Sequence, residues 1–456
     1  MTSESAAGAP ASALIRRIGI QRGELVVVGW SFAYFFSLLA GYYMLRPVRE
    51  TMAIVSGVQT IPWLFTGTFV VTLLITPIFG WITSRFARKT FLPWVYYFFI
   101  ANIGVFYLAF TGFAEGSEAL TWVARTFFVW ISVFNLFVVS VFWSFMADIY
   151  SRAQSRRLFG VISAGGSIGA ALGPWFTGYV VVDVGFETLL PISASLLLFA
   201  TFCVHQLKGR VVQPVGGSGD DSVSHQGLGG SPIAGIRFTF SSRYFGAIAG
   251  ALLITNFMGG TIYFFMADIV AQTFPDTNQQ TRVFAWMDAS TNVLSFIGQL
   301  LLVRLSVRKL GIGWTLAVLP LVSLIGFSAL AFFMLSPILA SVFPIMALLQ
   351  VLRRSVGFGL TKPTNDMLYA VVSTEEKYKA KNFIDTAVYR ASDLVTAWSV
   401  RSLAGVIGLS GISLLCLPLA VVWTSFAFWI GRQYQEKDAA LQSAAREADG
   451  TAVASD

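Results

Sequence analysis

Charge is scarce in this chain. Asp, Glu, Lys and Arg make up only 12% of its 456 residues, about half the roughly 25% typical of a soluble protein. A water-soluble globular fold is thereby excluded. Cysteine is nearly absent: Cys203 and Cys416 both lie inside apolar runs, so neither a disulfide framework nor a cysteine zinc cluster can be built. Histidine is as rare, with only His205 and His225, which removes most metal sites and histidine-assisted nucleophiles. No G-x4-G-K-[ST] segment occurs, so there is no phosphate-cradling loop for ATP hydrolysis. The expectation is a protein that is not an enzyme and carries no metal or other cofactor. What the chain does have is 55% hydrophobic residues and a formal charge of +8. That surplus fits the Lys and Arg that membrane proteins accumulate in cytoplasmic loops better than it fits a nucleic-acid surface.

Apolar runs recur at Leu25 to Leu45, Ile61 to Ile82, Phe91 to Phe113, Trp122 to Ile149, Leu158 to Val182 and Leu189 to Leu207. Six more follow at Phe245 to Val270, Val283 to Val303, Trp314 to Leu335, Ile345 to Val372, Phe383 to Val406 and Ile412 to Ile430. Each is near the length of about 20 residues that spans a bilayer. The fold class expected is therefore an all-α membrane protein of twelve transmembrane helices in two six-helix halves. Residues 1–24 form an N-terminal tail, 25–207 the first half, 208–244 a linker, 245–430 the second half and 431–456 a C-terminal tail. The linker, with its GGSGDD and GLGGSP stretches, has too few apolar groups to offset the cost of ordering it. The first apolar run has no small-residue cleavage pattern at its end and reads as a retained helix. Arg85, Arg88, Lys89, Arg152, Arg156, Arg157, Lys208, Arg210, Arg304, Arg308, Lys309, Lys377, Lys379 and Lys381 fall on one side of the spans. The other side carries Glu115, Glu118, Asp183, Glu187 and Asp276 against Arg282. This asymmetry places both termini in the cytoplasm of a bacterial inner membrane.

Two loop and helix patterns are informative. Gly80 to Lys89, GWITSRFARK, resembles the G-x3-D-R-x-G-R-K loop of the major facilitator superfamily, with Ser84 in place of the acid and Ala87 in place of a glycine. Asp148 is a candidate replacement partner for Arg85, and simple positive-inside anchoring is the plainer reading. In the fifth span Gly160, Gly169, Gly173, Pro174 and Gly178 resemble the antiporter signature of the same superfamily. A generic close helix contact accounts for them equally well.

Charges within the spans carry the most information, because each costs at least about 2.5 kcal/mol at the bilayer centre and should avoid lipid. Asp288, Asn292, Ser295 and Gln299 recur at helical spacing and form one polar stripe, as do Tyr42, Arg46 and Arg49. Arg125, Ser132 and Asn135 form a thinner stripe in the fourth span, and Asn256 with Tyr263 another in the seventh. The tenth span holds Arg353, Arg354, Lys362 and Asp366, interrupted by Pro363; the eleventh holds Asp385, Arg390, Asp393 and Arg401. Lys381 with Asp385 and Arg390 with Asp393 have the spacing of pairs within one helix. Surplus fixed positive charge favours an anionic solute, and guanidinium forks match phosphate or carboxylate.

Leu45 to Glu50, LRPVRE, is similar to the L-R-D-T-K-D segment of the non-mitochondrial ATP/ADP antiporters, or nucleotide translocases, a branch of the major facilitator fold. NDMLY at Asn365 to Tyr369, then EEKYKAK up to Lys381 and Ile-Asp385, resembles that family's K-E-M-A-Y, K-x-K-x-K and I-D elements. Phe142 to Phe145, FWSF, resembles its F-W-G-F. The resemblance implies exchange of an organic anion such as ATP for ADP across a bilayer by alternating access, in a protein that works as a monomer. Arg49 falls on a basic position of the family, Asn365 on a lysine and Asp366 on an acid; two further acids fall on Ile131 and near Tyr263. The substrate-binding set expected is Arg46, Arg49, Arg125, Asn135, Asp288, Asn292, Arg353, Lys362, Asn365, Asp366 and Asp385. The competing expectation is a proton-coupled major facilitator transporter of another small molecule, in which Asp288 or Asp385 carries the proton.

Overall fold

The computed structural model describes residues 20–85, 88–208, 234–336 and 342–453. Helices α1 to α6 are Leu25–Val55, Ile61–Arg85, Arg88–Gly112, Glu118–Ile149, Arg152–Val184 and Leu189–Lys208. Then follow α7 (Ala234–Ser241), α8 (Arg243–Thr273), α9 (Thr277–Ile297), α10 (Val303–Leu335), α11 (Phe343–Val356), α12 (Lys362–Met367), α13 (Thr374–Phe383) and α14 (Tyr389–Val453). No strand occurs among the described residues. Helix starts are fixed by side chains that satisfy the first free amides. Ser117 Oγ accepts from the Leu120 amide at 3.2 Å, and Ser151 with Gln154 and Ser373 with Glu376 form reciprocal capping boxes. Gly185, at φ 80°, ends α5.

Ten helical runs are long and apolar enough to cross a membrane. Two of them, Thr277–Leu335 with 59 residues and Lys379–Ser443 with 65, far exceed the roughly 20 residues of one crossing. Each is broken by a glycine with positive φ, Gly311 (φ 80°, ψ 171°) and Gly408 (φ 66°, ψ −179°), a conformation other residues adopt at a cost. Each run is therefore two segments, which makes twelve among the described residues. Helix α7 lies within the expected linker, 208–244; residues 209–233, including GGSGDD, and 1–19 lie outside the described residues.

The chain divides into two compact units. The first is Met1–Thr60, Gly67–Asp220 and Phe274–Ala289; the second is Ile61–Thr66, Asp221–Thr273 and Ser290–Asp456. In the first, α1 is central and packs on α4, α5 and α6. Its contact with α5 is close because Gly165, Gly169 and Gly173 lie against the backbone at Phe32, Phe36 and Ala40. Thr177 extends that line by donating to the Met44 carbonyl at 3.1 Å, and Ser193 of α6 donates to the Gly41 carbonyl at 3.0 Å. Phe142 and Phe145 of the FWSF segment are buried, with Phe142 stacked on Phe35 at 4.0 Å. That segment is packing material. In the second unit, α10 pairs with α14 through Gly313 against Gly431 and Trp314 against Phe428, and α7 packs on α13.

Three π-helical segments, Gly298–Leu302, Gly357–Thr361 and Ile384–Val388, interrupt the helices of the second unit. The first two touch: Gly298 lies against Gly359, and Gln299 donates to the Phe358 carbonyl at 3.0 Å. Such wide turns recur at functional sites.

Candidate functional site

In the first unit the site grows from one face of α1. Leu25–Val55 stays helical past Pro47, which carries Arg46 and Arg49 into the helix as the stripe with Tyr42 requires. Arg46 Nη1 donates to Asp288 Oδ1 at 3.4 Å, and its guanidinium lies 5.6 Å from the Tyr43 ring. The Arg46 side chain is 17% exposed and that of Asp288 only 3%. Arg49 pairs with Glu50 at 2.7 Å, donates to Ser132 Oγ at 3.3 Å and sits over the Phe128 ring at 4.9 Å. Arg125 donates to the Ser56 carbonyl at 3.5 Å and covers the Trp122 ring at 4.8 Å. The start of α9 is fastened to the same unit: Thr51 and Thr281 share a 2.8 Å hydrogen bond, and Asn278 accepts from the Phe186 amide at 2.9 Å. Asn135 is half-buried on α4 near Phe134 and Val138 in sequence, on the stripe with Ser132.

In the second unit a different constellation forms. Lys362 follows a π-segment and Asp385 lies within another, so both helix breaks deliver charge to one place. Lys362 Nζ is 3.6 Å from Asp366 and 3.4 Å from Asp385, and Lys381 Nζ is 2.5 Å from Asp366. These four side chains are a third to a half exposed, and Lys381 lies 5.4 Å from the Tyr369 ring. The spacing predicted Lys381 with Asp385; tertiary placement instead gives Lys381 to Asp366 and Asp385 to Lys362. Arg390 and Asp393 do pair, at 4.0 Å.

Arg353 is buried. Its Nε donates to Ser323 Oγ at 3.2 Å and its Nη2 to the Thr255 carbonyl, and it occupies the space a Cβ at Gly259 would take. It ties α8, α10 and α11 together. Asn365 lines a small cavity with Thr255, Thr361, Leu316 and Trp423. Asn292 is half-buried one turn beyond Asp288. Gln299, counted on the same stripe, falls in a π-segment and is turned to the Phe358 carbonyl.

Sequence reasoning passed over Glu50, although it adjoins Arg49 in the LRPVRE segment, and Thr51 with Thr281, for which no sequence signal exists. It also passed over Glu24. This carboxylate receives Arg157 at 2.7 and 2.9 Å, Gln154 at 3.1 Å and the Gln21 amide at 3.0 Å. Burial alone would raise the Glu24 carboxyl; the Arg157, Gln21 and Gln154 hydrogen bonds outweigh it and hold the group below the usual carboxylate range. Arg85 of the loop signature is exposed, while Phe86 and Ala87 lie outside the described residues.

Known proteins of similar sequence or fold are carriers and transporters by name. ADP,ATP carrier protein 2 of Chlamydia pneumoniae is 23% identical over 480 residues, covering 87% of each chain. Among solved structures, a bacterial homologue of the iron transporter ferroportin matches with a TM-score of 0.60 and 13% identity over 89% of this chain and 99% of that one. The nucleoside transporter NupG matches with a TM-score of 0.58 and 12% identity over 90% and 98%. These likenesses establish the fold. The family description "Major Facilitator Superfamily" matches residues 25–384, and with most of the chain so matched and twelve apolar segments in place, this protein belongs to that superfamily of membrane transporters.

Proposed function

We propose that this protein is a secondary transporter of an organic anion, with exchange of ATP-type for ADP-type nucleotides as the reading the residues and relatives favour. The observation that carries it is the α1 face bearing Arg46 and Arg49. Arg46 gives a single long hydrogen bond, 3.4 Å, to one oxygen of Asp288, while a guanidinium fork can hold a phosphate through two parallel bonds. An incoming phosphate would displace Asp288 from Arg46, so the carboxylate acts as a resident competitor that leaves when substrate arrives. Lys362 and Lys381, each already beside a carboxylate, would follow the same logic in the second unit. The cations are thus neutralised at rest, which lowers the cost of placing them in a membrane protein. Arg125 adds positive charge with no carboxylate among its described hydrogen bonds, and Asn135, Asn292 and Asn365 offer neutral donors and acceptors for a base or sugar.

The proton-coupled alternative rests on one observation: Asp288 is almost fully buried. A buried acid beside a displaceable cation can take a proton. Proteoliposomes separate the two readings. Uptake of labelled ATP that requires internal ADP, and ignores a pH gradient, is expected of the exchanger; uptake driven by a pH gradient with indifference to nucleotide would replace that reading with the alternative. The distribution of Lys and Arg supports cytoplasmic termini in a bacterial inner membrane.

A further inference from the structure

Helix α7 has three distinct sides, and together they suit a lipid surface. At 100° per residue, Phe238 and Thr239 face the second unit: Thr239 is fully buried and Phe238 packs on the core that includes Tyr244, Leu368 and Ile384. Ile236 and Phe240, four apart, form a second side that is apolar yet open, 41% and 78% exposed, with the Phe240 ring edge-on to that of Phe383, their centroids 6.5 Å apart. Arg237 and Ser241, also four apart, form a third side that is exposed and polar. A helix in water has two such sides, buried and polar. The extra apolar side is what a helix lying at a bilayer edge presents to acyl chains.

Position and charge point the same way. Only Ser242 separates α7 from α8, whose membrane-crossing run begins at Arg243, so α7 lies within one residue of the end of a span. The stretch from 234 to 243, AGIRFTFSSR, carries two guanidiniums and no acid, which complements anionic phosphate headgroups and not an acidic-free, neutral surface. We infer that α7 is an interfacial helix that inserts Ile236 and Phe240 among lipids and binds an anionic phospholipid headgroup through Arg237 and Arg243. The inference is independent of what the protein carries.

Full-length protein with Cys203 and Cys416 replaced by Ala, and with either Phe240→Cys or Ser241→Cys, carries an environment-sensitive fluorophore in vesicles of phosphatidylethanolamine and phosphatidylglycerol. The label at 240 is expected to be quenched by a lipid-borne probe near the headgroup and protected from aqueous iodide, and the label at 241 to show the reverse. Replacing phosphatidylglycerol by phosphatidylcholine, or introducing Arg237→Gln with Arg243→Gln, should reduce lipid-borne quenching at 240 by more than about twofold. Equal iodide quenching at both positions overturns the inference. So does protection of position 240 from both quenchers, which would mean that protein covers the patch, and so does indifference of lipid-borne quenching to the anionic lipid.

Discussion

At the scale of single residues, the decisive arrangement is a cation with a carboxylate that a substrate could replace. Arg46→Ala and Arg49→Ala are each expected to lower nucleotide uptake by more than about tenfold, the loss of one to two charge-assisted hydrogen bonds, with the amount of inserted protein unchanged on immunoblots. Arg46→Lys keeps the charge but not the fork and should fall between. Asp288→Asn removes the resident competitor from Arg46; a lower KM for ATP together with slower turnover is the expected result, read from initial rates. Full abolition of a pH-driven flux by the same change would instead identify Asp288 as the proton carrier. Glu24 offers a test in acid. Its folded carboxyl lies below its unfolded value, so its contribution is present above the unfolded value and is lost as pH falls through the folded one. Wild-type protein in detergent should therefore lose more thermal stability than Glu24→Gln does as pH falls from neutral through the ordinary carboxylate range and below it.

At the scale of elements, the glycines of α5 separate by what surrounds them. A Cβ at Gly169 would meet the Phe36 carbonyl and lie 3.0 Å from the Ala40 amide, whereas one at Gly160 would meet nothing within 4 Å. Gly169→Ala should destabilise the first unit by about 1–3 kcal/mol through overpacking, and Gly160→Ala should leave the melting temperature unchanged; thermal unfolding in detergent distinguishes them. The antiporter-like spacing is therefore a helix contact at Gly169 and Gly173, and Gly160 takes no part in it. Hydropathy located the spans, because lipid demands an apolar surface whatever the fold, but not every end: the first helix continues past Leu45 to Val55, and the helices expected from Leu158 and Val283 begin at Arg152 and Thr277. Side-chain pairing was less legible. A wheel drawn through Asp288 to Gln299 assumes 3.6 residues per turn, and the π-segment at Gly298 breaks that period. Lys381 likewise pairs with Asp366 and not with Asp385, which is nearer in sequence, because Asp385 lies in a π-segment that breaks the helical period and is itself paired with Lys362. Lys362, Asp366 and Asp385 were legible as a set from their charge, but their partners were not. The Thr51–Thr281 contact depends on distant segments meeting and has no periodic signal, whereas Glu50 pairs with its own neighbour Arg49.

At the scale of the whole molecule, the proposed orientation rests on the charge of the loops. A fluorescent protein fused after Asp456 is expected to mature and fluoresce in bacterial cells, and alkaline phosphatase at the same place to be inactive; the opposite pair of results would invert the topology. The last helix also sets a distance. From Gly431 to Val453 it continues without a break beyond the apolar run, about 23 residues or roughly 35 Å at 1.5 Å each. The start of that length lies along the second unit, with Tyr434 on the core around Tyr244 and Lys437 5.6 Å from the Tyr244 ring, so a cargo joined at the end of α14 would be carried at most about 24 Å from this contact, the length of the remaining residues to Val453 at 1.5 Å each.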